Sequence, residues 1–78
     1  MSVATEVDVI RQMLEEGQLT RAGEDGHVRE LRATCPADGT GAPVHRVARA
    51  GRKVVEVVFR CPACGQDFAA APEAMQLG

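Results

Sequence analysis

Cys35-Pro36-Ala37-Asp38-Gly39 and Cys61-Pro62-Ala63-Cys64-Gly65 are one five-residue pattern written twice, with a single letter changed. Thiols and a carboxylate at these positions are ligand chemistry. The spacing C-x2-C brings two thiolates to adjacent corners of a tetrahedron around a metal ion. Proline after the first ligand fixes φ and removes a backbone donor that the turn does not need. Glycine after the second allows φ > 0 where the chain reverses. The remaining N–H groups of such a loop can point at the sulfurs and lower the cost of gathering several anions around a cation. Cys61 to Gly65 fits throughout. Cys35 to Gly39 fits as well when Asp38 supplies a ligand, so the two loops read as the jaws of one tetrahedral site.

Other chemistries compete for the same residues. Three cysteines can be one disulfide and a spare thiol, or small buried hydrophobes. The odd count disfavours a purely disulfide framework. The first ten residues have no basic start and no apolar run, so no secretory signal is expected. A reducing, cytoplasmic setting follows, in which paired cysteines point to metal or redox chemistry. A redox Cys61–Cys64 pair lacks the βαβ surroundings such pairs have. Asp38 is also good turn chemistry with no metal at all. In that case His45 becomes the fourth ligand of a Cys3His set. His27 is a poorer candidate, because an extended strand from Val28 to Thr34 sets it roughly 20 Å from Cys35.

The knuckles resemble those of the zinc-ribbon family with rubredoxin-type Cys-Pro-x-Cys-Gly loops. The resemblance spans Val28 to Phe68, and the first knuckle departs from it at Asp38, where the family has cysteine. It implies a structural Zn2+ held by Cys35, Asp38, Cys61 and Cys64, aspartate being an accepted zinc ligand. The 22 residues between Asp38 and Cys61 are about what a β-hairpin needs to leave one knuckle and return to the other.

The elements that position these loops follow from periodicity. Val7, Ile10 and Leu14 form a stripe from Thr5 to Glu16, with Val3 one turn earlier. Thr5 is the expected N-cap, Glu6 and Asp8 favour the helix dipole, and Gly17 is the expected stop. Gln18 to Gly26 reads as a polar connection. Val28 to Thr34 reads as a strand whose Leu31 and Ala33 lead to Cys35. Val44 to Arg49 and Val54 to Phe59 read as a hairpin turning at Ala50-Gly51-Arg52. Val55, Val57 and Phe59 are expected on one face, and Val54, Glu56, Val58 and Arg60 on the other. Phe68 is expected over the hairpin base, and Ala69 to Gly78 reads as a weak helix or loose tail that Pro72 starts. The expected architecture is a small metal-stabilised α+β fold, a short N-terminal helix followed by a three-stranded antiparallel zinc ribbon. Residues 1–27 form the acidic helix and linker, 28–68 the ribbon, and 69–78 the tail.

Composition narrows the function. A chain of 78 residues with two phenylalanines, no tryptophan and no tyrosine has little to bury, and domains of this size ordinarily carry a staple. No apolar run is long enough for a membrane span. The net charge of −2 is unevenly spread: residues 1–27 sum to −4, residues 28–60 to +4 and residues 61–78 to −2. A closed four-ligand site has no open position for chemistry, and neither a nucleophile constellation nor a phosphate loop is legible. The expectation is a non-catalytic protein–protein interaction module or small accessory subunit of a larger assembly. Nucleic-acid binding is the alternative, with Arg46, Arg49, Arg52 and Lys53 around the hairpin tip meeting phosphates. Many zinc ribbons serve transcription or translation, so the resemblance adds weight to it. Against it stand an acidic chain and a lack of aromatics on which bases could stack.

Overall fold

The computed structural model describes residues 5–78. Helix α1 (Glu6–Glu15) is followed by β1 (Thr20–Ala22), β2 (Val28–Thr34), β3 (Gly41–Ala50), β4 (Lys53–Arg60) and β5 (Asp67–Ala69). A turn of 3-10 helix (Pro72–Ala74) then leads into β6 (Met75–Leu77).

Both ends of α1 are set by the residues that announce them. Thr5 Oγ1 accepts the N–H of Asp8 at 3.2 Å, and Asp8 Oδ2 accepts the N–H of Thr5 at 3.3 Å, a reciprocal capping box. At the other end Gly17, at φ +76°, donates to the carbonyl of Leu14, and Gln18 donates to that of Met13. That pair of bonds is a Schellman motif. A Cβ on Gly17 would lie 2.3 Å from the carbonyl oxygen of Arg52, so the helix end and the β3–β4 hairpin tip are pressed together at a position only glycine permits. Thr5→Ala removes one half of the cap and is expected to cost about 1 kcal/mol. A thermal melt should show it as a fall in Tm of roughly 4–8 °C.

The sheet has six strands, not the three expected for a bare ribbon. Each knuckle acts as a hairpin turn and lays the chain back on the strand it has just left. Thr34 pairs with Gly41 across the first, and Arg60 with Asp67 across the second. The polar connection after α1 contains β1, which turns through Gly23–Gly26 to pair Ala22 with Val28. The C-terminal residues form the turn that Pro72 begins and then β6, which pairs Leu31 with Leu77 and Ala33 with Met75. β2 is therefore flanked on both edges. Glu30 exchanges both backbone bonds with Gly78 on one side, while Leu31 donates to Leu19 on the other.

Two irregularities decide which side chains reach the core. The β3–β4 register slips between Val44 and Arg46, where His45 is the extra residue, and again opposite Ala48 and Arg49, where Val55 is extra. An extra residue breaks the two-residue alternation. Val54 and Val57 thus point inward together with Phe59, while Val55 is 56% exposed. The strict alternation that grouped Val55 with Val57 and Phe59, and Val54 with the opposite face, is overturned by this bulge.

Ile10, Met13 and Leu14 of α1 pack with Leu31, Ala33, Val54, Val57, Phe59 and Met75 in one core. The helix face is thus consumed by its own sheet. Val7 is only half-buried, Met13 takes a central place, and Val3 lies outside the described residues. Phe68 stacks on Phe59 with ring centroids 5.8 Å apart. The N–H of Leu77 donates to Glu6 Oε1 at 2.6 Å and ties β6 to the start of the helix. No helix among the described residues is long and apolar enough to cross a membrane.

Candidate metal centre

Strand parity delivers the first ligand of each knuckle. Leu31 and Ala33 point inward from β2, and two residues further on so does Cys35. Val57 and Phe59 point inward from β4, and Cys61 follows in the same way. Both cysteines are buried, at 1% and 0% exposure, and form the end of the hydrophobic core. The two loops then repeat one backbone pattern. Cys35 donates to the carbonyl of Thr40 and Gly39 to that of Cys35; Cys61 donates to Gln66 and Gly65 to Cys61. Gly39 and Gly65 share a φ of +74°. The duplicated sequence is a duplicated structure.

The second ligand positions, Asp38 and Cys64, lie on the exposed side of the loops. One ligand atom from each of Cys35, Asp38, Cys61 and Cys64 falls within 4.8 Å of all the others, and this group could hold a metal ion. Cys35 Sγ and Cys64 Sγ are 3.7 Å apart. Cys61 Sγ lies 3.6 and 3.5 Å from the two Asp38 carboxylate oxygens. Around a zinc ion with ordinary bond lengths, two sulfurs of a tetrahedron sit about 3.8 Å apart and a sulfur and an oxygen about 3.6 Å apart. The Cys35–Cys64 and Cys61–Asp38 pairs therefore stand at the separations that a tetrahedral ion requires, and the remaining pairs lie within 4.8 Å.

Asp38 also makes the backbone bond that Cys64, its counterpart in the second knuckle, makes. Its Oδ1 accepts the N–H of Thr40 at 2.9 Å, two residues on. Cys64 receives the equivalent bond from Gln66. The turn chemistry and the ligand geometry of Asp38 are thus compatible, since one carboxylate has an oxygen for each.

The electrostatics of the cluster follow from these bonds. The Thr40 N–H holds the Asp38 carboxyl below its ordinary range. The backbone N–H groups of Cys64 and Ala63 hold the Cys61 thiol below its usual value against the opposing effect of burial. Cys64 goes the other way. The bond from Gln66 alone would lower it, but burial and the neighbouring sulfurs of Cys61 and Cys35 together push it up to about 11. Without a cation, the cluster keeps a proton on Cys64 at neutral pH. A metal bound through Cys64 must displace that proton, so lowering the pH favours the proton over the metal. Apparent zinc affinity, measured by competition with a metal indicator at pH 7.5 and 6.5, should weaken at least about tenfold over that unit. An affinity unchanged between the two values would exclude Cys64 as a ligand.

The histidines lie elsewhere. His45 is the exposed extra residue of the β3 bulge and does not join the group. His27 is fixed in the β1–β2 turn, where its N–H donates to Asp25 Oδ1 at 3.1 Å and its ring meets Asp25 Oδ2 at 3.0 Å.

The four basic residues of the hairpin do not form one free patch. Arg49 Nη1 donates to the carbonyl of Gly17 at 3.0 Å, and Lys53 pairs with Glu15 of the helix at 3.0 Å. Arg46 and Arg52 form no ion pair among the described residues. Arg60 is engaged in a two-bond pair with Asp67 across β4 and β5, at 2.7 and 3.2 Å. An apolar groove of about 420 Å³ runs between α1, β4 and the segment before β6. Leu14, Val54, Val57 and Met75 line it, and the charged side chains there include Arg11, paired with Glu73, and Glu15, paired with Lys53.

β5, β6, Met13 and Met75 are absent from the sequence-based picture. β5 could have been found from the repeat itself: if the first knuckle returns the chain as a strand, so does the second. Met13 completes the i, i+3, i+4 set with Ile10 and Leu14. No family model, no curated protein and no solved structure matches the chain.

Proposed function

We propose that the chain is a non-catalytic zinc-binding ribbon that serves as a protein–protein interaction module or small accessory subunit. One observation carries the metal reading: four ligand atoms from two copies of one loop gather within 4.8 Å, and the two cross-knuckle pairs Cys35–Cys64 and Cys61–Asp38 stand at tetrahedral spacings. Three sulfurs and one oxygen suit zinc, which accepts both donors and has no geometric demand of its own beyond a small, near-tetrahedral shell. All four corners come from the protein, which leaves no position for a substrate. In the apolar groove Arg11, Glu15 and Lys53 are held in ion pairs, and Glu56 is the one charged lining residue without such a pair among the described residues. A role in presenting a rigid surface fits these features better than a role in turnover.

The support for interaction does not come from the helix, whose apolar face is spent on the core. It comes from the stapled sheet around it. The alternative, contact with nucleic acid through the hairpin tip, keeps Arg46 and Arg52 as its unpaired cations, while Arg49 is engaged by Gly17 just past α1 and Lys53 by Glu15.

Metal analysis of chain purified under reducing conditions tests the reading, with about one zinc per chain expected. Asp38→Ala should weaken zinc binding by more than about tenfold, whereas His45→Ala should leave it unchanged. A reversed pattern would move the fourth corner to His45. For the alternative, titration with a generic duplex and single strand at two salt concentrations is decisive. Binding that falls steeply with salt, and falls again on Arg46→Ala, would favour nucleic acid.

A further inference from the structure

Exposure divides the cluster in two. Cys35 and Cys61 are buried, while Cys64 faces solvent. Distance divides it differently. Cys61 lies against the carboxylate of Asp38, and the exposed Cys64 lies 3.7 Å from the buried Cys35 of the opposite knuckle. With three thiols rather than four, joining any two leaves a single sulfur for the ion. We propose that Cys64 is a peroxide-reactive thiol and that its oxidation exchanges the metal for a Cys35–Cys64 disulfide. This rests on the metal reading above.

The chemistry balances with hydrogen peroxide as the oxidant. Cys64 gives up its proton when it ligates the ion, and the resulting thiolate attacks one peroxide oxygen; an S–O bond forms, the O–O bond breaks, and the leaving hydroxide takes a proton from solvent to become water. The Cys35 thiolate then attacks the sulfur of the resulting sulfenic acid. An S–S bond forms, the S–O bond breaks, and a second hydroxide leaves as water. Two electrons pass from the two sulfurs to one peroxide. Cys61 and Asp38 alone remain on the ion, and two ligands do not retain zinc against solvent.

The pairing has a structural consequence. Cys35 follows the end of β2 and Cys64 follows the end of β4, so the new bond joins the same two loops that the ion joined. The oxidised chain keeps its staple and should stay folded. A disulfide within the second knuckle, Cys61 to Cys64, would release the metal but leave the first knuckle unattached.

The test treats the zinc-loaded full chain with stoichiometric hydrogen peroxide in the presence of a chromogenic zinc chelator. One zinc released per chain is expected, with a mass lower by two hydrogens and a retained β-sheet circular dichroism spectrum. Tryptic digestion without reductant should yield residues 33–46 joined to residues 61–78, with fragmentation placing the bond on Cys64. Zinc retained after oxidation, a bond confined to residues 61–78, a bond placed on Cys61, or a sulfinic acid on Cys64 without any bond each overturns the exchange alone. A chain that carries no zinc at the outset overturns the metal reading and the exchange with it.

Discussion

Cys61→Ala should abolish zinc binding and take most of the fold with it. Its sulfur is fully buried at the end of the core, where Phe59 and Cys35 are also inaccessible to solvent. Three separate things are lost together: one corner of the proposed metal site, the sulfur that faces Asp38, and a packed atom at the end of the inward row of β4. Metal sites in small domains hold a large share of the folding free energy, because no formed site exists in the unfolded chain. The expected loss is at least about 3 kcal/mol, in a chain whose total is on the order of 5–15 kcal/mol. Zinc content should drop from about one per chain to near zero, and the melting transition should broaden or disappear. A Cys61→Ala protein that still melts cooperatively with an unchanged Tm would remove the metal from any structural role.

Phe59→Ala should be nearly as damaging, for a different reason and with a different remedy. Phe59 is the largest fully buried side chain, stacked against Phe68 and in contact with the helix-bearing core. Truncation of such a ring leaves a cavity and costs about 3–5 kcal/mol. No ligand is removed, however. A ligand that binds only the folded state adds stability in proportion to the logarithm of its excess, about 4.1 kcal/mol at a thousandfold excess over Kd. Excess zinc should therefore recover much of the Phe59→Ala fold and none of the Cys61→Ala fold. Melts of both variants across a zinc series check this, and equal rescue of the two would contradict the assignment of Cys61 as a ligand.

The sequence showed the site more clearly than the scaffold, and the reason is physical. A knuckle is a local object: its ligands, its proline and its glycine are five consecutive residues, so the pattern survives without knowledge of the fold. The caps of α1 are local in the same sense, and Thr5 and Gly17 hold both ends where they were expected. β1, β5 and β6 are three residues each, too short for alternation to appear, and they exist because a longer neighbour offers them an edge. The faces of β4 were misread at two residues, Val54 and Val55. Val55 is an insertion that only the pairing with β3 reveals, and no property of Val54-Val55-Glu56-Val57 taken alone marks it. The meaning of Asp38 was left open between turn and ligand because either reading satisfies the sequence; the structure lets one carboxylate do both.

The neighbours of β2 come from widely separated parts of the sequence. Its partners come from the chain just before it, the chain just after it, and the C-terminal residues 75–77. Glu6 at the opposite extreme waits for Leu77, 71 positions away. Loop closure over such separations must precede the contacts that reward it. During synthesis the hairpin of β3 and β4 can pair as soon as it emerges, and each knuckle can turn on its own. The helix finds its full seat only after β6 has arrived. Until then Ile10, Met13 and Leu14 have an incomplete surface to cover. The Glu6–Leu77 bond spans the longest separation among the hydrogen bonds of the described residues, so its closure carries the largest entropy cost of any of them.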